Sequence, residues 1–218
     1  QRYAAIGTGN FNEDTARVLA VADFGFSDIE AGDVLQFITL SSAPTAGSLK
    51  LSGVAVVANQ DIIATDIAAG RLTFSPAANA NGAGYASFGF KVSDGAALSA
   101  AYTMTVNVSA VNDAPTASNR TVTINEDSAR IFAVADFGFS DIDAGNSLQS
   151  VTLSSIPTAG SLRLAGVAVT AGQLVSAADL AAGQLVFTPA ANTNGAGYAS
   201  FGFKVSDGAA LSAAYTMT

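Results

Sequence analysis

The chain of 218 residues contains no cysteine, no histidine and no tryptophan. Without thiolate or imidazole ligands, a zinc, copper or haem site is hard to build. Ser-His-Asp and Cys-His catalytic arrangements are excluded for the same reason. Charge is also scarce, at 12% of residues, and 17 acids outnumber nine bases for a formal net charge of -8. The excess is even: residues 1–112 carry nine acids and five bases, and residues 113–218 carry eight and four. A chain this acidic repels phosphate backbones, so nucleic acid is not an expected partner and dissolved cations are. No apolar run reaches the length of about 18 residues that would suggest a membrane span.

What the sequence does contain is a repeat. Residues 12–105 align without a gap to residues 125–218 at an offset of 113, and 72 of the 94 paired positions are identical. Residues 194–218 reproduce residues 81–105 without a change. A period of about one small domain predicts tandem domains: residues 1–111, a linker at 112–115, and residues 116–218. Half the residues are apolar, enough for a core in each domain. The first copy continues through Val106-Asn107-Val108 to the linker, whereas the second stops at Thr218, so the sequence reads as a piece cut from a longer array.

The second copy reads as a succession of short strands. Thr121–Ile124 alternates polar and apolar, and Arg130–Ala135 and Gln149–Leu153 follow as strands. Asp136–Gly145 is a long loop, and Pro157–Gly160 is a turn. Leu162, Leu164, Val167 and Val169 mark a hairpin about Ala165-Gly166. Ser176–Gly183 suits one helical turn, Leu185–Phe187 another strand, and Phe201, Phe203 and Val205 alternate with Gly202 and Lys204. Tyr215 and Met217 begin the last strand. About seven strands with turn signals every 8–12 residues predict an all-β chain of two Greek-key β-sandwich domains, immunoglobulin-like in architecture. The cysteine pair and tryptophan of antibody domains are missing. Phe88, Phe90, Phe201 and Phe203 are expected in the core, not on a sugar-binding platform.

In a sandwich of this kind the B–C and F–G loops lie at the end that receives the incoming chain. Asp141 and Asp143 fall in the first loop and Asp207 in the second, beside the linker residues Asn112 and Asp113. From the preceding domain, Glu13 and Asp14 fall in the A–B turn and Asn79 and Asn81 in the E–F loop, at the outgoing end. The expectation is that these groups converge at the joint. Two carboxylates ~5 Å apart repel by roughly 3 kcal/mol at an effective dielectric near 20. A hard divalent cation removes that repulsion, and Ca2+ accepts six to eight oxygens in flexible geometry.

Val111-Asn112-Asp113-Ala114-Pro115 resembles the inter-domain linker of cadherins. With Asn-Glu-Asp opening each repeat, Ser-Asp-Ile-Asp-Ala-Gly in the loop and Val-Ser-Asp-Gly near the end, the chain resembles the cadherin-like repeats of large bacterial surface adhesins of the RTX, type I-secreted kind. The resemblance implies calcium-rigidified extender modules at the bacterial cell surface, supporting adhesion or biofilm formation. It implies Glu13, Asn112, Asp113, Asp141, Asp143 and Asp207 as calcium ligands. Asp14, Asp28, Glu30, Asp33 and Asp94 are weaker candidates. Those of the first domain's B–C and F–G loops are expected to need a preceding linker, and residues 1–10 depart from the strand of the second copy. Cadherins carry Asp-x-Glu before the linker, where this chain offers Asn79 and Asn81.

Three motif matches lead elsewhere. Asp23-Phe24-Gly25 and Asp136-Phe137-Gly138 lack the lysine and catalytic loop of a kinase. Gly82-Ala83-Gly84 lacks the lysine of a phosphate loop. Residues 141–146 lack the glycine position and terminal Glu of an EF-hand. With no base or nucleophile set beside the acids, no enzyme is expected. Expected partners are calcium and neighbouring repeats; polysaccharide or like copies would be partners if the module binds directly. An accessory domain of a larger secreted enzyme is a third reading.

Overall fold

The computed structural model describes residues 2–4 and 7–218. The chain divides into two compact units, Gln1–Val111 and Asn112–Thr218. Both are β-sandwiches, so the expected all-β architecture is observed. Among the described residues no helix is long and apolar enough to cross a membrane.

The first unit contains β1 (Arg2–Ala4), β2 (Thr8–Asn12), β3 (Arg17–Val18), β4 (Phe26–Asp28), β5 (Phe37–Leu40), β6 (Ser48–Leu51), β7 (Val54–Ala55), β8 (Asp61–Ile63), α1 (Ala64–Ala68), β9 (Leu72–Ser75), β10 (Gly82–Ser93) and β11 (Tyr102–Ser109). One sheet runs β2-β11-β10-β5-β8 and the facing sheet β3-β9-β6-β7, with β1 and β4 forming a separate pair. Strand β2 runs parallel to β11, with Thr8 opposite Thr105 and Asn12 opposite Ser109. The other ladders are antiparallel.

The second unit contains β12 (Arg130–Ile131), β13 (Ser150–Leu153), β14 (Ser161–Leu164), β15 (Val167–Ala168), β16 (Leu174–Ser176), α2 (Ala177–Ala181), β17 (Leu185–Thr188), β18 (Phe201–Ser206) and β19 (Tyr215–Met217). Its sheets run β16-β13-β18-β19 and β12-β17-β14-β15.

Alternation along the strands builds each core. Phe88, Phe90 and Val92 point inward from β10, as Phe201, Phe203 and Val205 do from β18. Phe90 meets Phe24 edge-on at 5.2 Å, and Phe203 meets Phe137 at the same distance. Edge-on aromatic pairs add about 0.5–1.5 kcal/mol beyond the area they bury. The short helix α2 is capped reciprocally: Asp179 N–H donates to Ser176 Oγ at 3.0 Å, and Ser176 N–H donates to the Asp179 carboxylate at 3.3 Å.

Three local expectations are corrected. The run Arg130–Ala135 is a strand only at Arg130–Ile131, after which Val134–Phe137 turns into a 3-10 helix. Asp136 fixes that turn by accepting from Ala133 N–H at 2.8 Å and from Arg130 at 2.7 Å. Phe137 is thereby turned into the core, and Gly138 closes the turn in the left-handed region. The Asp-Phe-Gly motif thus serves as a capped turn in both units. Secondly, Thr121–Ile124 forms no laddered strand, although its counterpart Thr8–Phe11 lies in strand β2. Thirdly, residues 1–10 depart in sequence from the second copy, but Arg2–Ala4 and Thr8–Asn10 are paired; Gln1, Ala5 and Ile6 lie outside the described residues.

Gly160 sits at φ 71°, and a Cβ there would lie 2.8 Å from the Thr188 carbonyl oxygen and 2.7 Å from the Phe187 ring. Neither the backbone nor a ring packed in the core yields easily. Gly160→Ala is therefore expected to destabilise the second unit by about 1–3 kcal/mol, read as a lower urea midpoint for the full chain.

Candidate functional site

The second unit begins with Asn112 and Asp113, and its own loops hold both residues. Asp113 N–H donates to Asp143 Oδ2 at 2.7 Å. Asp143 N–H in turn donates to Asp141 Oδ1 at 2.9 Å, a local turn within the loop between β12 and β13. Asn112 donates through Nδ2 to Asp207 Oδ2 at 2.9 Å, and its Oδ1 accepts from Asn146 Nδ2 at 3.2 Å. Asp207 lies between β18 and β19, where its Oδ1 accepts from Ala209 N–H and Ala210 N–H, both at 2.7 Å. Residues 112, 113, 141, 143 and 207 therefore form one connected network within this unit. Asn146 joins them; its place was marked in the sequence only by alignment with Asp33.

Hydrogen bonds set the charge state of Asp207. The Ala210 N–H, with help from the Asn112 amide and Ala209 N–H and against some burial, holds its carboxyl below the ordinary aspartate value. Asp207 is therefore an anion at neutral pH. Asp141 is different in kind. Its Oδ2 is shut away from solvent and accepts no hydrogen bond. A carboxylate oxygen in that position lacks the compensation that buried polar groups normally find, and a bound cation would supply it. The surrounding donors are carboxylate, amide and carbonyl oxygens, the set that suits Ca2+.

In the first unit the equivalent loop brings Asp28, Glu30 and Asp33 together, with one carboxylate oxygen from each lying within 4.8 Å of the others. This is the three-acid group found among the described residues, and it falls on candidates ranked below those of the second unit. A hydrogen bond with the Glu30 side chain holds the Asp28 carboxyl below its ordinary value, opposed by burial and aided by Glu30 N–H at 3.2 Å. Asp94 accepts from Ala96 N–H and Ala97 N–H, the same turn that Asp207 makes.

Glu13 has a role that its sequence did not reveal. It is 2% exposed. Its Oε1 accepts from Val111 N–H at 2.7 Å and its Oε2 from Asn81 Nδ2 at 2.9 Å. Both oxygens are engaged in fixing the last residue of the first unit to the A–B turn and E–F loop. Asp14 likewise accepts from Asn79 N–H at 2.8 Å. Asn79 and Asn81 therefore fix loops. The repeat makes the same bonds at Asp127 to Asn192 N–H and Glu126 to Asn194.

A family model described as a bacterial Ig domain matches residues 4–108 and, again, 112–218. The chain belongs to the bacterial Ig domain family. It carries two tandem copies of that domain, which together account for nearly its whole length. Among solved structures it is similar to the EC1-2 fragment of human mucin-like protocadherin, at 15% identity and TM-score 0.41, covering 100% of this chain and 96% of that one. It is also similar to murine CEACAM1b, at 9% identity and TM-score 0.23, with the same coverage. No curated protein matches the chain at a significant level.

Within these bacterial Ig domains, Glu13 and Glu126 offer a paired test. Glu13→Ala removes a buried carboxylate that accepts from both Val111 N–H and the Asn81 amide and is expected to cost about 1–3 kcal/mol. Glu126→Ala removes an exposed side chain with one bond to Asn194 and is expected to cost about 0.5 kcal/mol or less. Urea unfolding of the two variants measures the difference.

Proposed function

We propose that the chain is a calcium-binding structural repeat of a bacterial cell-surface protein, an extender segment that serves adhesion and performs no catalysis. In this reading the second unit's ligands are Asp113, Asp141, Asp143 and Asp207, with Asn112 supplying its amide oxygen. Glu13 tethers Val111 within the first unit.

The observation that carries the proposal is the state of Asp141. Its buried Oδ2 accepts no hydrogen bond, while the linker residues Asn112 and Asp113 are hydrogen-bonded to the neighbouring Asp207 and Asp143. Calcium at Asp141 would hold the incoming chain and both loops in one arrangement. It would bind the ordered loops and not the disordered ones, stabilising them by RT ln(1 + [Ca]/Kd), about 2.7 kcal/mol at a hundredfold excess. The three-acid group of the first unit suits a further ion by the same logic.

Tandem bacterial Ig domains with buried phenylalanines support a spacer better than a sugar-binding platform. Phe88, Phe90, Phe201 and Phe203 are all buried, and Tyr3 is the aromatic among the exposed large hydrophobic side chains of the described residues.

Thermal unfolding in saturating calcium, compared with excess EDTA, tests the proposal. The expected rise in Tm is on the order of 10 °C for the calcium-dependent transition. It should disappear from that transition in a variant carrying Asp141→Ala and Asp143→Ala, and equal magnesium should produce less of it. An unchanged Tm in calcium would reduce the acids to turn-forming residues.

A further inference from the structure

The loop that leads into β10 ends in Asn81-Gly82, and the matching pair in the second unit is Asn194-Gly195. Of the asparagines in the sequence, only these two precede a glycine. The backbone nitrogen that follows an asparagine can attack the side-chain amide carbon and close a succinimide ring. A side chain on the attacking residue crowds that approach, and glycine has none. Residues 76–81 lie outside any helix or strand, and Asn81 is exposed, so water reaches it. Gly82 sits at φ 143°, and a Cβ there would meet nothing within 4 Å, so the space beside the attacking residue is open.

The amide that would be lost has a structural task. Asn81 Nδ2 donates to Glu13 Oε2 at 2.9 Å, while Glu13 Oε1 accepts from Val111 N–H at 2.7 Å. Glu13 is buried, so its charge is made tolerable by these donors and not by water. A carboxylate in place of the Asn81 amide has no proton to donate. It would also set a like charge against Glu13 at hydrogen-bond distance, where two carboxylates do not both stay ionised. The pair must separate or take up a proton, and either change loosens the hold of Glu13 on Val111, the last residue of the first unit.

We propose that Asn81-Gly82 is a self-modification site, a deamidation switch whose conversion releases Val111 from Glu13. The Gly82 nitrogen bonds to Asn81 Cγ, and the Cγ–Nδ2 bond breaks. Gly82 loses its N–H proton and the departing amino group gains one, so ammonia leaves and the charge balances. Water then adds across one of the two ring C–N bonds. Opening at Cγ gives an aspartate, and opening at the backbone carbonyl gives an isoaspartate. Water is the one co-reactant. Ring closure requires the amide to leave Glu13, so the reaction runs from the locally opened loop and the hydrogen bond sets its pace.

The test has two arms, both on the full chain. In the first, folded protein is aged at mildly alkaline pH and its peptides are mapped by mass spectrometry with isoaspartate detection. Product should accumulate at Asn81 ahead of Asn59 and Asn119, which are exposed but precede Gln60 and Arg120. In the second, hydrogen exchange is read at Val111 N–H. Asn81→Asp should speed it at least about tenfold, the effect of losing one hydrogen bond to a charged group. Asn81→Gln keeps an amide donor and should leave that exchange close to native while giving no product at position 81. Conversion at Asn81 no faster than at Asn59 and Asn119 would overturn the proposal. So would unchanged Val111 exchange in Asn81→Asp, because the amide would then hold nothing in place.

Discussion

A β-sandwich depends on every strand edge in its core finding a hydrogen-bonding neighbour. The cost of leaving main-chain donors and acceptors unpaired exceeds any preference that the sequence holds for an extended conformation. The chain demonstrates this internally, because residues 81–105 and 194–218 are identical and yet differ in structure. Where Val106 and Val108 lie alongside, residues 82–87 are strand. Where no such segment lies alongside, residues 195–200 are not. In the first unit, the pairing of β11 with both β2 and β10 joins the two strands into one sheet.

The same pairing carries the chain towards Val111, the last residue of the first unit. Strand β11 carries the backbone to Ser109, whose carbonyl accepts from Glu13 N–H at 3.1 Å. Two residues later the Glu13 carboxylate captures Val111. Asn112 and Asp113 are then held by Asp207 and Asp143 of the next unit. Acids that would repel one another in isolation are made tolerable here by backbone N–H groups, as at Asp207 and Asp143. Asp141 Oδ2 is a buried oxygen of this network that accepts no hydrogen bond, and it is the atom on which the proposed cation site rests.

Much of this was legible in the sequence. Alternation at Phe201, Phe203 and Val205 gave strand β18 and its buried face, and Ala165-Gly166 gave the hairpin between β14 and β15, where both residues have positive φ. Topology alone was enough to put Asp141, Asp143 and Asp207 on neighbouring loops. The 3-10 turn at Val134–Phe137 was hidden, because Ile131–Val134 is an apolar run without a period and the turn is decided by the side-chain cap of Asp136. The strand state of residues 121–125 and 195–200 was hidden because it depends on a neighbour far away in sequence. The tether made by Glu13 was hidden: its partners, Asn81 and Val111, lie 68 and 98 residues away, and only the folded chain shows that both of its oxygens accept hydrogen bonds.

The fold thus places a linker, two acidic loops and a shielded carboxylate oxygen in one unit, and the family match covers two such units in tandem. The most direct test is residue-resolved hydrogen exchange of the full chain in saturating calcium and in EDTA. Slowed exchange in calcium at Asn112, Asp113, Asp143 and residues 207–210, with the amides of β13 and β18 unchanged, is the predicted result. Identical exchange at those loop amides in the two conditions would contradict it.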